Sequence, residues 1–320
     1  MTSSSSSKGH SRDLVGFAGT PPAVNWPGDA RLAVSVNVHF EEGAERNPLE
    51  GDRIHETAAE GIGTQAFAQG PHRVRFIESI FEYGSRRGIW RLLDILKVHG
   101  LPATFFCAAQ ALERSPQVGP QIIEDGHEIA GHGYRWLPYT AMSPNEERSD
   151  IQRALQAIEE LTGVRPVGWL SRSPSEMTRP ALVEAGLIYD SDSYNDDHPY
   201  FVDVDGKSFL TVPYTTDLLD SRYWTLPNVA GYTRADDLFS TFKSAFDQLY
   251  EEGMSGPRML SVGLHCRIGG RPERADNLDR ILQYVKEHVD VWVAPRRDIA
   301  NWWIKQTSTI APTSTQKSEG

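Results

Sequence analysis

Cysteine is nearly absent from the chain: 320 residues carry two, Cys107 and Cys266. Both stand in or beside apolar runs that read as buried strands, so two reduced thiols in a cytoplasmic protein are expected, not a disulfide framework. Long hydrophobic runs are missing as well. Nothing approaches the roughly 20 apolar residues that a membrane-spanning helix needs, and the Ser-rich stretch from Met1 to Arg12 has no apolar core of a secretory signal, so no membrane partner is expected. Basic charge is scarce, with 32 Lys and Arg against 43 Asp and Glu and a net charge of −11. The longest basic clusters are the pairs Arg86–Arg87 and Arg296–Arg297. A nucleic-acid surface needs a basic stripe to neutralise phosphates, so nucleic acid is not an expected partner either. No glycine-rich phosphate loop follows any candidate strand, which argues against a nucleotide cofactor.

What remains is an alternation of strand-like and helix-like segments. Arg31–Phe40 alternates apolar and polar residues and is rich in Val, as a strand should be. Further strands are expected at Ala103–Ala108, Glu128–Ala130, Val167–Leu170, Phe209–Pro213, Met259–His265 and Val291–Ala294. Helical spacing marks Gly88–His99, Val118–Asp125, Arg179–Ala185, Ala235–Glu251, Ala275–His288 and Asp298–Trp303. A capping box, Ser143-Pro-Asn-Glu146, opens another helix that Gly163 closes. Repeated β and α units with short links imply a parallel sheet covered by helices. With this many units a closed or nearly closed barrel is favoured over an open sheet, as one domain over residues 14–305. The polar stretches 1–13 and 306–320 are expected to be disordered tails. The long aperiodic segment Glu41–Val74 is expected to be functional, since structureless loops of that length are uncommon in compact domains.

In a β/α barrel, catalytic groups collect at the carboxyl ends of strands. Five such ends carry acids, histidines or arginines: Glu41 and Glu42, His132, Arg172, Asp190 and Asp192, and His265 with Arg267. Each has a plainer reading alone. The two glutamates could be a solvated pair, each histidine a hydrogen-bonded core residue, the arginines partners of surface acids, and the aspartates an Asx turn. Their joint placement on one face favours a site. If Glu41 and Glu42 converge, repulsion raises one pKa and yields a base poised for proton transfer.

Gly126–Tyr134 (GHEIAGHGY), Glu41-Glu42-Gly43 after a strand, and Leu260–His265 (LSVGLH) resemble the polysaccharide deacetylase (NodB-homology) family. That resemblance implies a distorted (β/α)7 TIM-like barrel and hydrolysis of a carbon–nitrogen bond. In the family, two aspartates stand in the first motif, one a base and one a metal ligand, and a His-x-x-x-His pair binds the metal. Here the aspartates are Glu41 and Glu42, and the second histidine is Trp136. Indole is not a metal ligand, and a zinc site asks for at least three protein ligands. The Glu-Glu-Gly and His-Gly-x-x-Trp motifs are similar to a metal-independent branch of allantoinases and cyclic-imide hydrolases. So are Tyr83–Arg86, Tyr189–Tyr194, Val212–Tyr214 and His265–Arg267. His39 departs from that branch, as do Leu170–Pro174 and Thr216–Arg222.

The resemblance implies a scheme without a cofactor. Glu41 or Glu42 is the base, His265 protonates the leaving nitrogen, and His132 orients water or the carbonyl. Arg172 or Arg267 binds carbonyl or carboxylate oxygens, and Trp136 stacks on a flat ring. Tyr134, Asp190 and Asp192 complete the substrate side in supporting roles. The expected partner is a small molecule, and the resemblance implies a homo-oligomer. Two alternatives stand beside this one. The first is a deacetylase of N-acetylated sugars that holds a divalent metal such as zinc through His132 and Glu42. The second is a member of the family that binds a ligand without turnover.

Overall fold

The computed structural model describes residues 12–56, 70–224 and 234–309. Nine strands form one sheet: β1 (Leu32–Phe40), β2 (Thr104–Cys107), β3 (Glu128–Gly131), β4 (Gly168–Trp169), β5 (Tyr189–Asp190), β6 (Tyr200–Val204), β7 (Lys207–Thr211), β8 (Arg258–His265) and β9 (Val291–Val293). The order is β6-β7-β5-β4-β3-β2-β1-β8, with β9 also on β1, and every pairing except the β6–β7 hairpin is parallel. The sheet curls, and helices pack around it, as in the distorted barrel that the sequence led one to expect.

β1 explains how this barrel holds a site. All nine of its residues are buried, polar ones included. Successive side chains of a strand point to opposite faces. Leu32, Val34, Val36, Val38 and Phe40 join the large apolar core, whereas Ser35, Asn37 and His39 form the other row. That second row is tied into a buried polar network. Asn37 donates to the Val262 carbonyl at 3.2 Å and accepts from Arg296 Nε at 2.8 Å. The polar positions of the alternation therefore face the barrel interior and not water. Continued two residues at a time, this row runs from His39 to Glu41, and the core row from Phe40 to Glu42.

Register sets the next contact. β1 and β8 pair over eight positions, from Leu32 opposite Arg258 to His39 opposite His265. The two histidines thus become lateral neighbours, and their rings stack 4.4 Å apart at an 18° interplanar angle.

The capping box forms as expected. Ser143 accepts from the Glu146 amide, Glu146 accepts from the Ser143 amide at 2.8 Å, and Gly163 ends the 144–162 helix at φ 73°. Such a cap contributes about 1 kcal/mol. Several elements differ from expectation. Lys207–Thr211 is the second arm of a hairpin whose turn, Asp205-Gly206, has both residues at positive φ, the geometry that Asp-Gly favours. Arg75–Tyr83 is a helix continued by a π-helical turn at Gly84–Gly88. The last helix runs from Arg296 to Thr309, so residues 306–309 are helical and not part of a tail. Residues 12 and 13 of the expected first tail are exposed and in no regular element, and the rest, 1–11 and 310–320, lies outside the described residues. Cys107 and Cys266 are buried and unpaired. Among the described residues, no helix is long and apolar enough to cross a membrane.

Candidate active site

A cleft of roughly 260 Å³ opens at the carboxyl end of the sheet, lined in part by His39, Glu41, His132, Trp136, Arg172, Tyr214 and His265.

Glu41 sits at the centre. Its Oε1 lies 3.0 Å from His132 Nε2, 3.6 Å from His39 Nδ1 and 3.7 Å from His265 Nε2, and its Oε2 accepts from Arg267 at 2.6 Å. Burial by itself would raise this carboxyl. The Arg267 guanidinium, His265 and the neighbouring His132 and His39 imidazoles outweigh it and hold Glu41 well below the usual carboxylate range. It is an ionised acceptor at neutral pH. His132 is fixed from behind, its Nδ1 2.5 Å from the Leu170 carbonyl, which can only accept.

His265 is fixed by a residue that sequence reasoning missed. Asp220 lies with Oδ1 2.6 Å from His265 Nδ1, and its Oδ2 accepts from the backbone amides of His265 and Gly269 at 2.7 and 2.9 Å. Asp220 stands 45 positions before its partner, with a second aspartate in its loop, and no local pattern marked it. Burial opposes charge on His265, but Asp220 and Glu41 prevail, so its pKa is raised. The imidazolium form is favoured relative to a free histidine, with Nε2 toward the cleft.

Glu42 does not join Glu41, and the expectation that the two carboxylates converge in one pocket is corrected here. Strand alternation turns Glu42 to the other face, against Gly84, where an added Cβ would lie 2.2 Å from Glu42 Oε1. Its two oxygens accept from the backbone amides of Glu41 and Arg267, each at 3.0 Å. Burial, with Glu41's charge opposing the pull of Arg267, pushes its pKa up to about 7. A carboxyl raised in the fold contributes stability that is present below its unfolded pKa and lost as pH rises through the folded one. Glu42→Gln offers one acceptor where two amides need one each, so it should destabilise the protein by about 1–3 kcal/mol. It should also flatten the decline in stability between about pH 4.5 and 7. Urea unfolding of both proteins across that range checks this; an unchanged midpoint would refute the structural role.

The remaining candidates divide. Arg172 borders the cleft, yet its guanidinium is held by Glu56, including one bond of 2.7 Å, and by the Trp136 carbonyl at 3.0 Å. Trp136 also borders it, with Arg172 4.1 Å and Arg267 5.0 Å from the ring centre. Arg267 is buried behind Glu41 and does not line the cleft. Asp190 pairs with Arg179 at 2.7 Å, and Asp192 accepts from the Ser171 amide at 2.6 Å, so both shape the loop bearing Arg172 and stay off the cleft wall. Tyr134 points elsewhere, donating to Glu113 at 2.7 Å with Arg153 over its ring.

A zinc ion of the family kind does not fit these residues. At the family's metal position Trp136 has no ligand atom, Glu42 is engaged by two amides, and the guanidiniums of Arg172 and Arg267 flank the indole. Among the described residues, His39, Glu41 and His265 bring one possible ligand atom each within 4.8 Å of the others. Zinc needs its nitrogens about 2.0–2.1 Å away in the ring plane. In this structure the His39 and His265 nitrogens lie 3.6 and 3.7 Å from Glu41 Oε1.

A curled parallel sheet that gathers a buried carboxylate and three imidazoles at its carboxyl end, in this family, defines a hydrolase of carbon–nitrogen bonds. The chain belongs to the polysaccharide deacetylase family: residues 69–182 match the family's model, and a relative from Schizosaccharomyces pombe named as a polysaccharide deacetylase is 39% identical over 91% of this chain and 96% of its own length. Two solved structures are similar throughout. A probable polysaccharide deacetylase from Pseudomonas aeruginosa PAO1 is 44% identical, with TM-score 0.86 over 92% of this chain and 98% of that one. PuuE allantoinase is 43% identical, with TM-score 0.86 over 92% and 97%.

Proposed function

We propose that the protein hydrolyses an amide bond of a small cyclic amide, a hydantoin such as allantoin or a cyclic imide, without a metal ion. The observation that carries this reading is Arg267. A buried guanidinium 2.6 Å from Glu41 and 5.0 Å from the Trp136 ring supplies fixed positive charge beside the place where the family binds a cation. The similarity to PuuE allantoinase supports the substrate class.

In this scheme Glu41 takes a proton from water as the water oxygen bonds to the carbonyl carbon. The carbon–nitrogen bond then breaks, and the imidazolium of His265 gives its proton to the departing nitrogen. His132 holds Glu41 in place. Arg172, braced by Glu56, offers a planar cation at the cleft mouth for the carboxylate product. Ring opening leaves both product groups in one molecule.

Purified protein should turn over at least one member of a panel of hydantoins, ureides and cyclic imides, at the same rate with and without chelator. Activity confined to N-acetylated sugars and abolished by chelator would replace this reading with metal-dependent deacetylation. No turnover on the entire panel would favour a binding role.

A further inference from the structure

The scheme above lacks a donor for the oxyanion that forms when water adds to the carbonyl. His39 has the atoms for it. Its Nδ1 is buried and has no hydrogen-bond partner, lying 3.6 Å from a Glu41 oxygen that His132 already occupies at 3.0 Å. Buried polar atoms in folded proteins are almost always paired, and the exceptions concentrate where a ligand completes them. The other ring nitrogen, Nε2, lies 3.0 Å from the Tyr214 hydroxyl. Among the described residues Tyr214 has no other hydrogen-bond acceptor, which favours His39 Nε2 as the acceptor of its proton. A neutral imidazole that accepts at Nε2 carries its own proton on Nδ1. Gly263 makes the contact possible, since an added Cβ there would lie 1.7 Å from the Tyr214 oxygen.

We propose that His39 is a catalytic residue of the reaction above, its Nδ1–H donating to the carbonyl oxygen as that oxygen becomes an oxyanion. The inference rests on the amide-hydrolase reading. As the water oxygen bonds to carbon, the carbonyl π pair moves to oxygen and is met by Nδ1–H. When the carbon–nitrogen bond breaks, the pair returns, and the His39 proton never leaves its nitrogen. Neutrality is what the role requires, and burial together with the charge of His265 brings the His39 pKa down to about 3.

Two measurements test this, one of them without substrate. Nitrogen-15 NMR of histidine-labelled protein at neutral pH should find His39 neutral with its proton on Nδ1, and Tyr214→Phe should move the Nε2 resonance as the hydrogen bond it accepts is lost. On whichever cyclic amide the panel identifies, His39→Ala should lower kcat by roughly 10²–10³ with little change in KM. Tyr214→Phe, which keeps the imidazole in place, should lower kcat in the same direction. A wild-type His39 protonated at Nε2, or a His39→Ala effect under about tenfold and confined to KM, overturns the assignment. If the NMR result holds while no cyclic amide is hydrolysed, the tautomer stands and the amide-hydrolase reading falls.

Discussion

Glu41→Gln is expected to lower kcat by roughly 10²–10⁴, the range that a positioned general base supplies. No other carboxylate borders the cleft among the described residues, so the loss has no substitute. The amide cannot accept a proton from water. The same change removes the closer of the two carboxylates beside the buried Arg267 guanidinium, leaving Glu42 at 3.8 Å, and breaking a buried pair from one side costs up to about 3–5 kcal/mol. Turnover could then fall through unfolding alone. Glu41→Asp separates the two effects, because it keeps the charge for Arg267 but withdraws the carboxylate by one methylene from water held in the cleft. It should fold with most of the wild-type stability and still lose much of kcat. Glu42→Gln, by contrast, should lose stability and not turnover. If Glu41→Gln and Glu41→Asp both fold and retain wild-type kcat while Glu42→Gln abolishes it, the base is Glu42.

The contrast between these neighbours shows how far the sequence could be read. The segment Arg31–Phe40 is legible as a strand, and strand ends are where a barrel gathers its chemistry. The same two-residue period assigns His39 and Glu41 to one face and Phe40 and Glu42 to the other, yet adjacency in sequence suggested that the glutamates converge. The period was sufficient to separate them. The Asp205-Gly206 hairpin was equally available, because that dipeptide prefers positive φ at both positions. Other parts were not available. The stacking of His39 on His265 follows from the β1–β8 register, which pairs residues more than two hundred positions apart and leaves no local trace. Arg172 looked free to meet a substrate, and only the folded chain brings Glu56 to it from the long loop after β1. That loop had been singled out by its length, but its residues 57–69 lie outside the described ones. Asp220 is the largest omission. One of two aspartates in its loop, it becomes special only when β8 carries His265 to it.

Asp220→Asn follows from that pairing and should lower kcat by up to about 10⁴ at neutral pH, as misorienting a catalytic imidazole does in other hydrolases. The substitution is isosteric. The carbonyl oxygen of the introduced amide can still accept from the His265 and Gly269 backbone amides, which leaves its NH2 facing His265 Nδ1. That nitrogen must then accept, so the neutral ring carries its proton on Nε2, where it is too weakly acidic to protonate a leaving nitrogen. The charge effect acts in the same direction. In the wild type, burial lowers the His265 pKa while Asp220 and Glu41 raise it, with a net rise. Without the Asp220 charge, burial counts for more and the pKa falls. The acid form is required for turnover, so wild-type kcat/KM should decline as pH rises through the raised His265 pKa. In Asp220→Asn that decline should move to lower pH, and part of the lost activity should return as the solution is acidified. The pH–rate profiles of the two proteins measure this directly. An alkaline limb that stays in place in Asp220→Asn would mean that the group titrating there is not His265.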